Sequence, residues 1–220
     1  MERIILHSDC NSFYASVECL YHPEIRRKPV VVGGDIEQRH GIILAKNQLA
    51  KQLHVSTGEA IWQAKQKCPE LIVLPPNFPL YLRFSRLARD IYLDYSNRVE
   101  PFGLDEAWLD ITSSENQKDK GERTAQEIRK RIREELGITV SIGVSYNKIF
   151  AKLGSDYQKP AAVTLITKEN YRQIAWPLPL SDLCLLYTSA AGARFLVAYP
   201  AKIFLAQLVK MDIVVLGSRV

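Results

Sequence analysis

Two neighbouring acids, Asp105 and Glu106, interrupt a strand-like apolar run in Gly103-Leu104-Asp105-Glu106-Ala107-Trp108-Leu109-Asp110-Ile111. Side chains alternate faces along a strand, so both acids can point into one site only where the strand starts or bends. Gly103 supplies the slack for that bend. A third acid, Asp9, ends a second apolar run, Ile4-Ile5-Leu6-His7-Ser8-Asp9. Three acids converging on two strand ends repel one another unless cations sit between them. A small set of carboxylate oxygens suits magnesium bound together with substrate phosphates, and this points to a two-metal phosphoryl-transfer site.

Asp9 runs straight into Cys10-Asn11-Ser12-Phe13-Tyr14-Ala15-Ser16-Val17-Glu18, where Phe13, Val17 and Leu20 fall on one helical face and Asn11 or Ser12 can cap. Backbone N–H groups at a helix start lack intrahelical acceptors and carry partial positive charge. A triphosphate held by metal at Asp9 can therefore also rest on the amides around Asn11, Ser12, Phe13 and Tyr14.

The elements that must position these groups are legible in outline. A strand at 3–9 is followed by the first helix, strands at 29–33 and 41–45, helices at 46–53 and 59–68 and a short strand at 71–74. Pro75-Pro76-Asn77-Phe78-Pro79 punctuates the chain and marks a subdomain boundary. Beyond it the pattern reads helix 81–96, strands 98–103 and 107–112, helix 122–136, strand 138–145, helix 148–156 and strand 162–166. With the first strand this gives β-α-β-β-α-β order, an α+β fold with a ferredoxin-like sheet in which Asp9 and Asp105-Glu106 meet on central strands. Residues 11–76 are then a small inserted α/β lobe. The remainder from Trp176-Pro177 to Val220 reads as helical and poorly patterned.

At 220 residues, 47% hydrophobic and 24% charged, the chain has the length and composition of an ordinary globular protein. No apolar run long enough to span a bilayer occurs, and Met1-Glu2-Arg3-Ile4 lacks the features of a signal peptide, so a soluble cytoplasmic protein with no membrane contact is expected. Cys10, Cys19, Cys68 and Cys184 are widely spaced, which favours reduced thiols over disulfides or zinc. The net charge of +5 fits nucleic-acid binding without requiring it. Basic residues such as those in Arg129-Lys130-Arg131-Ile132-Arg133 alternate with acids and read as a solvated helix face.

The segments Asp9 to Glu18, Gly103 to Asp110, Gly143-Val144-Ser145-Tyr146-Asn147-Lys148-Ile149-Phe150-Ala151-Lys152 and Ser155-Asp156-Tyr157-Gln158-Lys159-Pro160 resemble the core motifs of Y-family translesion DNA polymerases of the bacterial DinB/UmuC type. The resemblance implies a catalytic palm of 1–10 and 77–166, fingers of 11–76 and a partial, divergent thumb of 167–220, with the little-finger domain absent. It implies that Asp9, Asp105, Glu106 and the main-chain carbonyl of Cys10 hold two magnesium ions, and that Tyr14 is the aromatic gate against a ribose 2′-hydroxyl. Lys159 matches a contact to the incoming nucleotide's phosphates, and Lys148 and Lys152, one helical turn apart, face the primer-template backbone.

The implied activity is template-directed DNA synthesis in low-fidelity lesion bypass, by an N-terminal fragment acting as a weakly active monomer on primer-template DNA and dNTP. A catalytically weak or inactive DNA-binding relic is the alternative. A sliding clamp is the expected partner of full-length members, whose clamp-binding tail is absent here. In the fingers, Lys46-Asn47-Gln48-Leu49-Ala50-Lys51 stands where many members carry Ser-Tyr-Glu-Ala-Arg, so Lys51 keeps the charge of an arginine without its bidentate fork. In the thumb, Tyr187 to Gly192 and Tyr199-Pro200-Ala201 replace glycine-bearing turns that let backbone amides approach DNA phosphates.

Overall fold

The structure is a computed structural model that describes residues 3–34, 41–113 and 119–179. In chain order the elements are β1 (Ile5–Cys10), α1 (Phe13–Tyr21), a 3-10 turn (Pro23–Ile25), β2 (Val30–Gly33), β3 (Ile43–Lys46), α2 (Gln48–Gln52), α3 (Ile61–Lys67), β4 (Ile72–Leu74), α4 (Phe78–Leu93), β5 (Val99–Phe102), β6 (Glu106–Asp110), α5 (Lys120–Leu136), β7 (Val140–Ser145), α6 (Lys148–Tyr157), β8 (Val163–Ile166) and α7 (Tyr171–Ala175). Among the described residues, no helix is long and apolar enough to cross a membrane.

Two sheets form, one of order β5-β6-β1-β7-β8 and one of order β3-β2-β4. In the larger, β5-β6-β1-β7 is the strand order of a ferredoxin-like unit and makes β1 and β6, the strands carrying the acids, immediate neighbours. β8 extends it: α6 crosses over so that β8 pairs parallel to β7, with Ile142 opposite Val163 and Val144 opposite Leu165.

The chain divides into two compact units, 9–107 with 128–140, and 1–8 with 108–127 and 141–220. In the first, β2 runs antiparallel to β3 (Val31 opposite Lys46) and parallel to β4 (Val31 opposite Val73). Val31, Ile43, Ala50, Val55, Ile61, Ala64, Cys68 and Leu71 form a core of their own around this small sheet. Each fully buried aliphatic side chain there contributes about 1.5–3 kcal/mol relative to exposure. α1 buries Phe13, Ala15, Val17 and Glu18, and α4 buries Tyr81, Phe84, Ser85, Ala88, Ile91 and Tyr92, spaced three and four apart as a one-sided helix requires.

In the second unit α6 lies against β7 and β8, an approach that Gly143 permits. A Cβ at Gly143 would stand 1.9 Å from the Ala151 carbonyl oxygen and 2.5 Å from the Ser155 nitrogen. Phe150, Leu153, Ile166 and Ala175 form the core beneath.

The strands and longer helices expected from sequence are present, α7 and the 3-10 turn at Pro23–Ile25 are additions that the sequence reading does not include, and one helix start is shifted. α4 starts at Phe78, inside the proline cluster, and not at 81. Asn77 caps it by accepting from the Leu80 amide at 3.3 Å, and Pro79 sits in the first turn, where its missing N–H costs no intrahelical bond. The thumb turns at 187–192 and 199–201 lie outside the described residues.

Candidate active site

Asp9 and Cys10 end β1 and are both buried, while Glu106 opens β6 and Asp105 immediately precedes it. The Cys10 amide donates to the Asp105 carbonyl at 2.9 Å, which fixes the turn before β6 against the end of β1. Gly103 makes that turn possible with φ +68°, a left-handed conformation that a side chain would strain, and the Arg89 guanidinium donates to its carbonyl at 2.9 Å. Burial above all, then the charges of Asp105 and Asp9 and more weakly of Glu106, push the Cys10 thiol far above its ordinary range, against a hydrogen bond from Tyr92. All three carboxylates thus lie within electrostatic reach of one buried sulfur.

The three carboxylates and the Cys10 carbonyl offer hard oxygen donors at this corner. That set fits magnesium, which binds through one or two carboxylates and completes its octahedron with water and substrate phosphate. Among the described residues no group of three or more His, Cys, Asp or Glu side chains is arranged so as to hold a metal ion.

Between β1 and α1 the chain turns sharply. The Asn11 amide donates to the Thr139 carbonyl at 2.8 Å and its Nδ2 to Thr139 Oγ1 at 3.1 Å. Ser12 occupies the N-cap position in the left-handed region (φ 50°, ψ 45°), and its side chain makes no cap hydrogen bond. The side-chain cap expected of Asn11 or Ser12 is therefore not supplied by Ser12. A cap hydroxyl reaches the second or third helical amide from an extended backbone, and Ser12 is not extended. Ser16 ties the turn instead, its Oγ donating to the Asn11 carbonyl at 2.7 Å and its amide to the Ser12 carbonyl at 2.8 Å.

Phe13 points into the core, whereas Tyr14 is half-buried. The Tyr14 ring stacks on that of Tyr81, centroids 4.3 Å apart and planes 12° from parallel, with Phe78 edge-on at 6.1 Å. Burial and then the charge of Asp105 raise the Tyr14 hydroxyl's pKa.

Lys51 is exposed on α2. Asn47 anchors that helix: its Oδ1 accepts from the amides of Ala50 (2.9 Å) and Val30 (3.1 Å), and its Nδ2 donates to the Lys28 carbonyl at 2.7 Å. Lys46 is half-buried, and burial followed by the charge of Lys51 lowers its pKa against the pull of Glu59. In the other unit, Lys148 places Nζ 5.3 Å from the Trp108 ring centroid, and Trp108 Nε1 donates to the Lys148 carbonyl at 3.1 Å. Lys152 and Lys159 both pair with Asp156, at 3.4 and 2.6 Å.

The profile of the impB/mucB/samB family matches residues 8–156, a span that contains Asp9, Tyr14, Lys51, Asp105, Glu106, Lys148 and Lys152. The chain belongs to this family, the Y family of DNA polymerases. Among curated Y-family relatives, DNA polymerase IV of Acetivibrio thermocellus is 59% identical over 183 residues, covering 83% of this chain and 46% of the relative. DNA polymerase IV 1 of Bacillus subtilis is 44% identical over 181 residues, covering 82% of this chain and 44% of the relative. The chain thus spans less than half the length of these relatives. Among solved structures, the insertion ternary complex of Dbh DNA polymerase superposes with a TM-score of 0.79 at 30% identity, covering 88% of this chain and 56% of that one. DinB from Sulfolobus solfataricus gives 0.75 at 29% identity, covering 88% and 56%.

Sequence reasoning passes over Tyr81 and Thr139, and it gives no role to Glu18 although that residue closes the first motif segment. Tyr81 had one usable signal: read from a cap at Asn77, it opens the buried face that continues through Phe84, Ser85 and Ala88. Thr139 had none, because its partner Asn11 lies 128 residues away in sequence.

Proposed function

We propose that this chain carries the palm and fingers of a DNA-directed DNA polymerase that joins a deoxynucleoside triphosphate to a primer 3′-hydroxyl opposite a template. In this reading the palm is 1–10 with 77–166, the fingers are 11–76 and the thumb begins at 167. The pairing of the end of β1, which carries Asp9, with the turn and start of β6, which carry Asp105 and Glu106, supports it most directly. Two magnesium ions would be held by those carboxylates and the Cys10 carbonyl; when bound, they supply acidification of the 3′-hydroxyl and neutralisation of the leaving pyrophosphate.

The chain's own groups do the rest. The amides at the start of α1 take up phosphate oxygens, Asn11 holds that corner to Thr139, and Lys51 and Lys159 add positive charge to the triphosphate. Tyr14 occupies the space a ribose 2′-hydroxyl would need. Lys148 and Lys152 meet the DNA backbone, and the small fingers enclose the nascent pair loosely enough for low-fidelity bypass in the cytoplasm.

Primer extension with magnesium and all four nucleotides tests this, comparing the chain with its Asp105→Ala/Glu106→Ala variant. Extension that disappears with both acids is the expected result. Extension indifferent to their removal would sink the assignment.

A further inference from the structure

Glu18 is 5% exposed and follows Tyr14 by one helical turn on α1. A buried carboxylate is unfavourable unless hydrogen bonds compensate for its lost hydration, so a side chain chosen only to fill space there would be apolar. Glu18 Oε1 accepts a 2.6 Å hydrogen bond from the Tyr81 hydroxyl, while Oε2 lies 3.9 Å from His22 Nε2. The Tyr81 ring is fully buried and stacks face to face on Tyr14. Phe78 meets both tyrosines edge-on, at 6.1 Å and 6.0 Å.

These contacts close a circuit: Tyr14 leads along α1 to Glu18, across the hydrogen bond to Tyr81, and through the ring stack back to Tyr14. Tyr81 is thereby fixed at both ends, its hydroxyl by a charged acceptor and its ring by aromatic neighbours. The Tyr14 ring inherits that fixity.

We propose that Tyr81, oriented by Glu18, is a positioning residue that holds the Tyr14 ring in place and so sets how strongly the site rejects a nucleotide bearing a 2′-hydroxyl; this rests on the reading of Tyr14 as the group facing the sugar. Exclusion by a ring depends on the ring staying put, because one extra oxygen is accommodated by a tilt of less than its own diameter. Tyr81 acts through Tyr14 and needs no contact with substrate. Simple packing would slow insertion of both sugars alike when disturbed, whereas positioning changes their ratio.

The test is single-nucleotide insertion by the full chain with a deoxynucleoside triphosphate and the matching ribonucleoside triphosphate, read as the ratio of the two kcat/KM values. Tyr14→Ala should collapse the ratio. Tyr81→Leu, which removes the stack, should lower it by about 10- to 100-fold, the scale of losses from a misplacement of about 1 Å in a site group. Tyr81→Phe, which keeps the ring and the fold but not the hydrogen bond, should lower it less, with the deoxynucleotide kcat little changed. Adding Tyr81→Leu to Tyr14→Ala should bring no further loss, since the two act as one unit. A ratio preserved in both Tyr81 variants but lost in Tyr14→Ala would overturn the positioning role and leave the sugar-facing role of Tyr14 intact. A ratio unaffected by Tyr14→Ala would overturn that underlying reading, and the positioning role with it.

Discussion

The backbone amide of Cys10 donates to the carbonyl of Asp105 across 2.9 Å. This single bond joins the last residue of β1 to the turn before β6 and brings Asp9 beside Asp105 and Glu106. The arrangement concentrates negative charge where a folded chain with no metal to bind would avoid it, and that cost should be measurable.

Asp9→Asn removes one of the crowded charges without changing shape. Extension activity should fall at least about a hundredfold, because a charged ligand matched to the transition state is gone. Stability should rise, by about 1 kcal/mol, as repulsion between the buried Asp9 and the half-buried Asp105 and Glu106 is relieved. Single-turnover extension and urea melts on the same preparation check both halves; a variant that is less stable and fully active contradicts this account of the site.

The raised thiol of Cys10 makes stability pH-dependent in a defined direction. Its ordinary value is 9.0, and burial with neighbouring carboxylates holds it far higher in the folded chain. Below pH 9 both folded and unfolded chains keep the proton, and the contribution is fully present. As pH rises past 9 the unfolded chain releases the proton while the folded chain retains it, so stability falls by up to about 1.4 kcal/mol per pH unit from this group. The raised hydroxyls of Tyr14 and Tyr81 act in the same sense at higher pH. Urea melts from pH 8 to 10 should show the decline, and Cys10→Ala should flatten its first part.

Gly143→Ala should be among the most damaging methyl additions in the chain. The new Cβ would fall 1.9 Å from the Ala151 carbonyl oxygen, and backbone atoms cannot step aside as a flexible side chain would. A loss of about 3 kcal/mol or more is expected, the upper end for overpacking. Gly34→Ala, whose Cβ meets nothing closer than 3.5 Å among the described residues, is the control for the bare cost of a methyl and should be mild by comparison in thermal melts.

Lys51→Arg should lower the nucleotide KM severalfold. A guanidinium offers two parallel donors to a phosphate where an ammonium offers a point charge, and Asn47 already fixes the helix that carries it. Steady-state insertion kinetics separate this from chemistry, since kcat should hardly move. A KM identical to that of the parent chain would remove Lys51 from the phosphate-binding set.

Sequence pattern revealed the larger sheet well because its strands are apolar runs ended by acids or glycine, and the β-α-β-β-α-β order leaves few ways to pair them. It could not place β8, whose parallel partner β7 is reached only through the α6 crossover. The start of α4 was obscured because proline reads as a breaker although its first-turn position is harmless. Ser12 misled for the opposite reason: serine before a helix usually caps, and nothing local announces a left-handed backbone. Asp9, Asp105 and Glu106 stood out because acids that end or interrupt strand-like apolar runs need an explanation, whereas Tyr14 was marked only by the resemblance to the Y-family motif. Tyr81 and Glu18 did not, since a buried bond between residues 63 apart leaves no mark in either neighbourhood.

The small sheet β3-β2-β4 gathers Val31, Ile43, Ala50, Val55, Ile61, Ala64, Cys68 and Leu71 into one cluster. α1 packs on β2 and β3 as well, so a substitution that unseats this cluster is felt by the helix that carries Tyr14.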